Sequence, residues 1–331
     1  MQGAFNYFAN INYLMLEANS SCNLACASCN RSELEKFGLR EAKTLSEEEL
    51  RKILSIMKRT KVDTIKFEGL SEPMLNPKFD LMCGVLREYF PRAFVIIATN
   101  LQYSLEKTAF LRTIPYVDMV YLSIDGTGEV YERARAGAQY AKLLKSLNDV
   151  RDRVEPADRK KKLHINFVLT ADNYQELPKV YEIKDKFGLG SVRVNLAQNW
   201  NEGENNKLAP TRDMIEVLKN YRDDIKGVGG WDFRDCFWPF NGLIVDVFGD
   251  VRQCIINTSM RPVGNIFRDN IEEIYNQGVH FGRVRGALSQ NLAPHECRNC
   301  DYKFLSPILR EIFGGQGPLP PRAVVRPEMV K

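Results

Sequence analysis

Cys22, Cys26 and Cys29 stand in a C-x3-C-x2-C spacing just after the first extended apolar stretch of the chain, Tyr13–Ala18. Three thiolates in so short a loop can wrap one face of an iron–sulfur cube and leave its fourth iron without a protein ligand. An open iron is a place for chemistry. Zinc is the other metal this spacing suits, although a closed structural zinc site takes four ligands and would need one from elsewhere. A second group, Cys236, Cys254, Cys297 and Cys300, frames C-x12-G-x4-C and closes on C-x2-C. Four thiolates can complete either a zinc site or an iron–sulfur cluster, and spacing alone leaves both open. His295, next to the last pair, reads as a loop histidine because four thiolates already suffice. Cys83, the remaining thiol, shares a helical stripe with Phe79, Met82, Leu86 and Phe90, which places it in the core.

The elements that must hold these groups are legible as an alternation. Extended stretches at Tyr13–Ala18, Val62–Phe67, Ala93–Thr99, Val117–Ile124, Leu163–Leu169 and Ser191–Leu196 are separated by helical patterns at Ser46–Arg59, Lys78–Phe90, Leu105–Thr113, Ala138–Val154 and Tyr174–Phe187. The first helix opens with a capping box, Ser46 three residues before Glu49. Six strands alternating with helices imply parallel βαβ units, whose ligands gather at the C-terminal strand ends. The alternation stops after Leu196. A polar run, Gln198–Pro210, one helix over Thr211–Lys226 and a glycine-rich break at Gly227–Gly230 follow, then a hairpin around Gly249-Asp250 and a short helix at Ile271–Asn276.

Composition narrows the classes. At 331 residues the chain exceeds what one hydrophobic core usually serves, so a large domain with a smaller appendage is expected. Lys and Arg total 46 against 42 for Asp and Glu, and a net charge of +4 over this length predicts no nucleic-acid partner. The sequence offers neither the apolar run of a membrane helix nor a signal peptide, which predicts a cytoplasmic protein with reduced thiols.

In this setting the first domain resembles the radical S-adenosylmethionine (SAM) superfamily. The resemblance rests on the cysteine loop, on Gly69-Leu70-Ser71-Glu72-Pro73 after the second strand, on Thr99-Asn100 after the third, and on Ser123-Ile124-Asp125-Gly126 after the fourth. It implies a partial (β/α)6 barrel over residues 1–205, with Gly69, Ser71, Glu72 and Pro73 near the methionyl group of SAM. Asn100, Ser123 and Asp125 would also bind the cofactor, the last two near the ribose. Ser28 replaces the usual aromatic before the third cysteine, and Ser71 the usual second glycine. With Gly264-Asn265-Ile266 between its cysteines, the second group resembles the SPASM/twitch extension. That resemblance implies an α+β domain at 231–313 with one auxiliary 4Fe-4S cluster, a linker with a helix at 206–230, and a flexible tail at 314–331. The implied cofactors are two 4Fe-4S clusters and SAM, and the implied electron donor is a flavodoxin or ferredoxin.

Strand alternation nominates the cavity side chains. Glu17, His164 and Arg193 are catalytic candidates; Asn166 joins the cofactor set, Asn195 shares its face, and Arg135, in an Arg-x-Arg-x-Gly run, suits the SAM carboxylate. The expected function is oxidation of a small polar substrate, a sugar or aminocyclitol, with the auxiliary cluster taking an electron. The alternatives are an epimerase or peptide-modifying maturase, and a zinc-stabilised binding protein or electron carrier. Only about 12 residues precede the first strand, an expectation against a leader-binding domain.

Overall fold

A computed structural model describes residues 5–36, 38, 40–197, 211–225, 234, 236–255, 261–297, 300 and 311–312. The expected turn-rich run after Leu196, the break at 227–230 and the tail at 314–331 lie outside the described residues.

One sheet organises the molecule. Strands β1 (Tyr13–Leu16), β2 (Thr64–Phe67), β3 (Phe94–Thr99), β4 (Met119–Ser123), β5 (Leu163–Leu169) and β6 (Val192–Leu196) run parallel, each paired with the next. On the other side of β1, strand β7 (Gly242–Val245) joins in parallel, Tyr13 opposite Gly242 and Leu16 opposite Val245. Strands β8 (Asp250–Arg252) and β9 (Gly264–Asn265) then add antiparallel, giving the order β6-β5-β4-β3-β2-β1-β7-β8-β9. The expected hairpin is thus an extension of the barrel sheet. Its turn places Gly249 at φ +83°, with Phe267 where a Cβ would stand.

Helices α1 (Arg31–Lys36), α2 (Glu47–Met57), α3 (Phe79–Tyr89), α4 (Phe110–Thr113), α5 (Gly128–Ala134), α6 (Tyr140–Arg153), α7 (Pro156–Lys162) and α8 (Leu177–Phe187) fall between the barrel strands. They are followed by α9 (Arg212–Lys219), α10 (Trp238–Asn241), α11 (Ile271–Gln277) and α12 (Val279–Ser289). The capping box at Ser46 forms as the sequence suggests. Three expected helices are shorter, among them Thr211–Lys226, whose α-helix ends at Lys219. Leu105–Thr113 breaks at Thr108, whose backbone is extended, and the pattern from Tyr174 becomes helical only at Leu177, because Pro178 belongs in a first turn. Helix α12 escapes the sequence reading because Gly282 and Gly286 dilute its pattern, yet Phe281, Val284 and Leu288 are fully buried.

Alternation is strict where it matters. On β5 the residues Leu163, Ile165, Phe167 and Leu169 are buried under the helices, while His164, Asn166 and Val168 face the concave side. Cys83 is wholly buried in α3. No helix among the described residues is long and apolar enough to cross a membrane.

Candidate active site between two cysteine sets

The loop after β1 is held from three sides. Ala25 and Ala27 donate backbone hydrogen bonds to Ala136 and Ala134 at the end of α5 (2.9 and 3.1 Å), Ser21 accepts from Glu72 (2.9 Å), and Asn23 Nδ2 donates to Gln102 (2.8 Å). Its three sulfurs line one cavity of about 220 Å³ at the C-terminal strand ends. Each sulfur meets an N–H donor: Asn100 Nδ2 at 3.8 Å from Cys22, Arg135 Nη1 at 3.8 Å from Cys26, and the Arg31 amide at 3.5 Å from Cys29. Such donors favour sulfur carrying negative charge, so the set suits iron ligation. Burial pushes the Cys26 thiol up to about 11, partly offset by Arg135. Bound iron would supply the charge that ionises it.

The opposite cavity wall is the Gly69–Glu72 segment. Gly69 has no substitute here, because a Cβ would stand 2.2 Å from Glu17 Oε1. Glu72 is 1% exposed, and its carboxylate is engaged on both oxygens. Oε1 accepts from Thr99 Oγ1 (2.7 Å) and the Met74 amide (3.2 Å), and Oε2 from the Asn100 amide (2.7 Å). Its first role is a strut tying the end of β2 to the end of β3. Pro73 lies outside the cavity: it is buried at the start of the 3-10 turn Pro73–Leu75, where its missing N–H costs nothing.

Burial raises the Glu72 carboxyl to about 7, against which its three donors pull only in part. Between the usual carboxyl value near 4.3 and about 7 the folded state therefore holds a proton that the unfolded chain has lost. That contribution to stability is full below the unfolded value and is lost as pH rises through 7. Chemical denaturation of the cluster-free protein should show a midpoint falling between pH 5 and pH 8, with a shallower fall in Glu72→Gln. An identical pH slope in the variant would remove Glu72 as its source.

Asp125 is 2% exposed and does not reach the cavity either. Its Oδ1 accepts from the Val168 amide (2.7 Å), and its Oδ2 lies 2.9 Å from Arg135 Nε. The short carboxylate is spent holding the guanidinium that looks onto Cys26 and the cavity. Arg135→Leu leaves Asp125 buried and unpaired, a loss of about 3–5 kcal/mol in unfolding free energy. Adding Asp125→Leu should restore most of that stability but not SAM affinity. Recovery of both would show that Arg135 does not serve the cofactor.

Ser123 and Asn166 line the cavity wall as expected. Behind them opens a second cavity of about 190 Å³, bounded by Lys66, Glu68, Tyr121, Arg193, Asn195 and, from the C-terminal region, Ile255. Arg193 donates to Asn195 Oδ1 (3.1 Å) and Tyr121 Oη (3.3 Å) and lies 5.2 Å from the Tyr121 ring centroid. Asn195 in turn donates to Asn166. Lys66 Nζ is 2.5 Å from Glu68 Oε1, whereas Glu68 Oε2 is buried without a hydrogen-bond partner.

Two catalytic candidates stand elsewhere. His164 is on the concave face but near the start of β5, where Nδ1 meets Ser191 Oγ (2.9 Å) and Nε2 the Lys161 carbonyl (3.1 Å). Alternation chose the right face and the wrong end of the strand. Glu17 is 5% exposed, ion-paired with Arg40 and bonded to the Leu70 amide (2.9 Å). It lines a third cavity, of about 90 Å³, between the Gly69 segment and Cys254. There it supports the loop from beneath. Lys66, Glu68 and Tyr121 were missed, although the alternation used for β5 and β6 assigns them to the same face of β2 and β4. Arg40 comes from a loop and carries no such signal.

The second cysteine set converges as well. Cys297 is buried against Phe240, Val284 and Leu288. Its thiol is pushed up by burial and then by the charges of Cys254, Cys236 and Cys300. Four cysteines match the donor set of a fully ligated cluster.

Residues 236–301 match the SPASM family, an iron–sulfur cluster-binding domain. The chain overlays SuiB of Streptococcus suis bound to S-adenosylmethionine, with a TM-score of 0.64 at 16% identity over 84% of this chain and 68% of that one. The chain carries a SPASM domain and shares its fold with SuiB. The matched domain is one that binds an iron–sulfur cluster, and it contains all four cysteines of the second set. Among curated proteins, this chain is 28% identical to the tungsten-containing aldehyde ferredoxin oxidoreductase cofactor-modifying protein of Pyrococcus furiosus, over 55% of this chain and 51% of that protein. It is 26% identical to the antilisterial bacteriocin subtilosin biosynthesis protein AlbA of Bacillus subtilis, over 86% of this chain and 62% of that one. The chain thus spans about half of the first relative and three-fifths of the second.

Proposed function

We propose that this chain is a radical SAM oxidoreductase acting on a small polar, carbohydrate-like molecule held between its two cysteine sets. Cys22, Cys26 and Cys29 would hold the SAM-binding cluster, and Cys236, Cys254, Cys297 and Cys300 the auxiliary one. When bound, these groups supply a 5′-deoxyadenosyl radical to abstract hydrogen and an acceptor for one electron. The chain supplies position. Gly69 and Ser71 border the cofactor space, Arg135 offers a guanidinium to a carboxylate, and Asn100, Ser123 and Asn166 bound the remaining wall.

The observation that carries this reading is the placing of the 190 Å³ cavity. It shares Ser28, Glu68, Ala98, Asn166 and Val168 with the SAM-side cavity and extends to Ile255, the neighbour of Cys254. Lys66, Tyr121, Arg193 and Asn195 there suit hydroxyl and amino groups. As an alcohol carbon gives up its hydrogen atom, the hydroxyl must lose a proton, and the carboxylate of Glu68, a residue of the cavity wall, would take it.

A second reading, modification of a peptide side chain in the same cavity, is favoured by the likeness to AlbA, a bacteriocin subtilosin biosynthesis protein. Deuterated aminocyclitols, deuterated sugars and deuterated peptides, each given to the reduced enzyme with SAM, separate the two. Deuterium entering 5′-deoxyadenosine from the carbohydrate panel is expected. Transfer from peptides alone would replace the first reading by the second.

A further inference from the structure

Behind the auxiliary cysteines the buried polar side chains form one directed path. Gln253, 4% exposed at the exit of β8, donates from Nε2 to Cys297 Sγ at 3.8 Å. Its Oε1 lies 2.6 Å from Nε2 of His280 on α12. A carboxamide has donors on one side and an acceptor on the other, so with its NH₂ on sulfur the oxygen must receive a proton from His280. That fixes the histidine tautomer as well as the amide. The ring is further restrained by Phe281, edge-on at 5.7 Å between centroids, and by Glu296, whose Oε1 is 3.7 Å from Nδ1. Arg283 of the same helix holds Glu296 in place, with Nη1 3.0 Å from Oε2.

We propose that Gln253, oriented by His280, is a positioning residue that raises the reduction potential of the auxiliary cluster through its hydrogen bond to the Cys297 sulfur. The proposal rests on the assignment of Cys297 as a cluster ligand. Reduction adds negative charge that is shared by the ligating sulfurs, and a donor facing one of them stabilises the more negative state more than the oxidised one. The sulfur lies in a small apolar cluster with Phe240, Val284 and Leu288, where no water competes and such a bond has its full effect. A higher potential makes the cluster a better acceptor for the electron that substrate oxidation releases. His280 touches neither cluster nor substrate. Its part is to keep the amide from turning its oxygen onto the sulfur.

Potentiometric titration of the reconstituted holoprotein, followed by electron paramagnetic resonance, tests this without any substrate. Gln253→Leu should lower the auxiliary midpoint by about tenfold in the reduction equilibrium, about 59 mV for one electron, and leave the SAM-binding cluster unmoved. His280→Leu should shift it in the same direction, and His280→Gln, which keeps an N–H for the Gln253 oxygen, should restore it. An unmoved auxiliary midpoint in Gln253→Leu holding about eight irons per chain overturns the proposal. If Gln253→Leu fails to load the second cluster, His280→Leu decides: a lowered midpoint supports the proposal and an unchanged one overturns it. Wild-type protein with only about four irons would instead overturn the ligand assignment beneath it.

Discussion

Replacing Cys22, Cys26 and Cys29 with alanine together is expected to abolish SAM cleavage and to lower iron from about eight to about four per chain, one four-iron cluster being lost. The effect should be total, because the remaining groups in that cavity can seat SAM but offer it no electron. The variant should still fold. The loop is anchored by the backbone bonds of Ala25 and Ala27 and by Asn23, none of which involves a sulfur. Circular dichroism and the intact auxiliary signal therefore serve as controls. Continued formation of 5′-deoxyadenosine by this variant would exclude the three cysteines as the radical-generating site.

Converting Cys297 and Cys300 to alanine is expected to separate radical formation from product formation. SAM cleavage should remain measurable, since the cavity around Cys22, Cys26 and Cys29 is built by other elements, while oxidised product falls to background for lack of an electron acceptor. Undiminished product would mean the substrate electron leaves by another route. An epimerase makes a contrasting demand, a hydrogen donor outside both cysteine sets. Cys83, the only thiol left, is sealed in α3, so Cys83→Ala should stay active and product formed in deuterium oxide should carry no solvent deuterium at the reacting carbon. Lost turnover in a folded Cys83→Ala, with one deuteron gained, would favour inversion.

What could be read from the sequence was what depends on local order. The cysteine spacings, the strand-end segments at Gly69–Pro73, Thr99-Asn100 and Ser123–Gly126, and the six-strand alternation all reflect neighbours in the chain. Depth along a strand does not. Alternation put His164, Asn166, Arg193 and Asn195 on one face, but only the strand register shows His164 opposite Tyr121, beneath the cavity, and Asn166 opposite Ser123, at its rim. Side chains spent on one another were equally hidden. Asp125 pairs with Arg135, and Glu72 accepts from Thr99, Asn100 and Met74, contacts that no local string announces. Glu68 and Lys66 were missed because their string was read for its glycine and not for its alternation.

The pairing of β1 with β7 also sets a timetable. Tyr13–Leu16 finds its second neighbour only after roughly 230 further residues have been made. At synthesis rates of about 5–20 residues per second, that partner emerges on the order of 10–50 s later. Throughout this interval β1 presents an open edge flanked by the apolar Leu14 and Leu16, a template for any extended segment nearby. The nascent protein is most vulnerable to aggregation while ribosome-bound, and a chaperone that masks the first strand until residue 245 has emerged should raise its yield more than one acting after release.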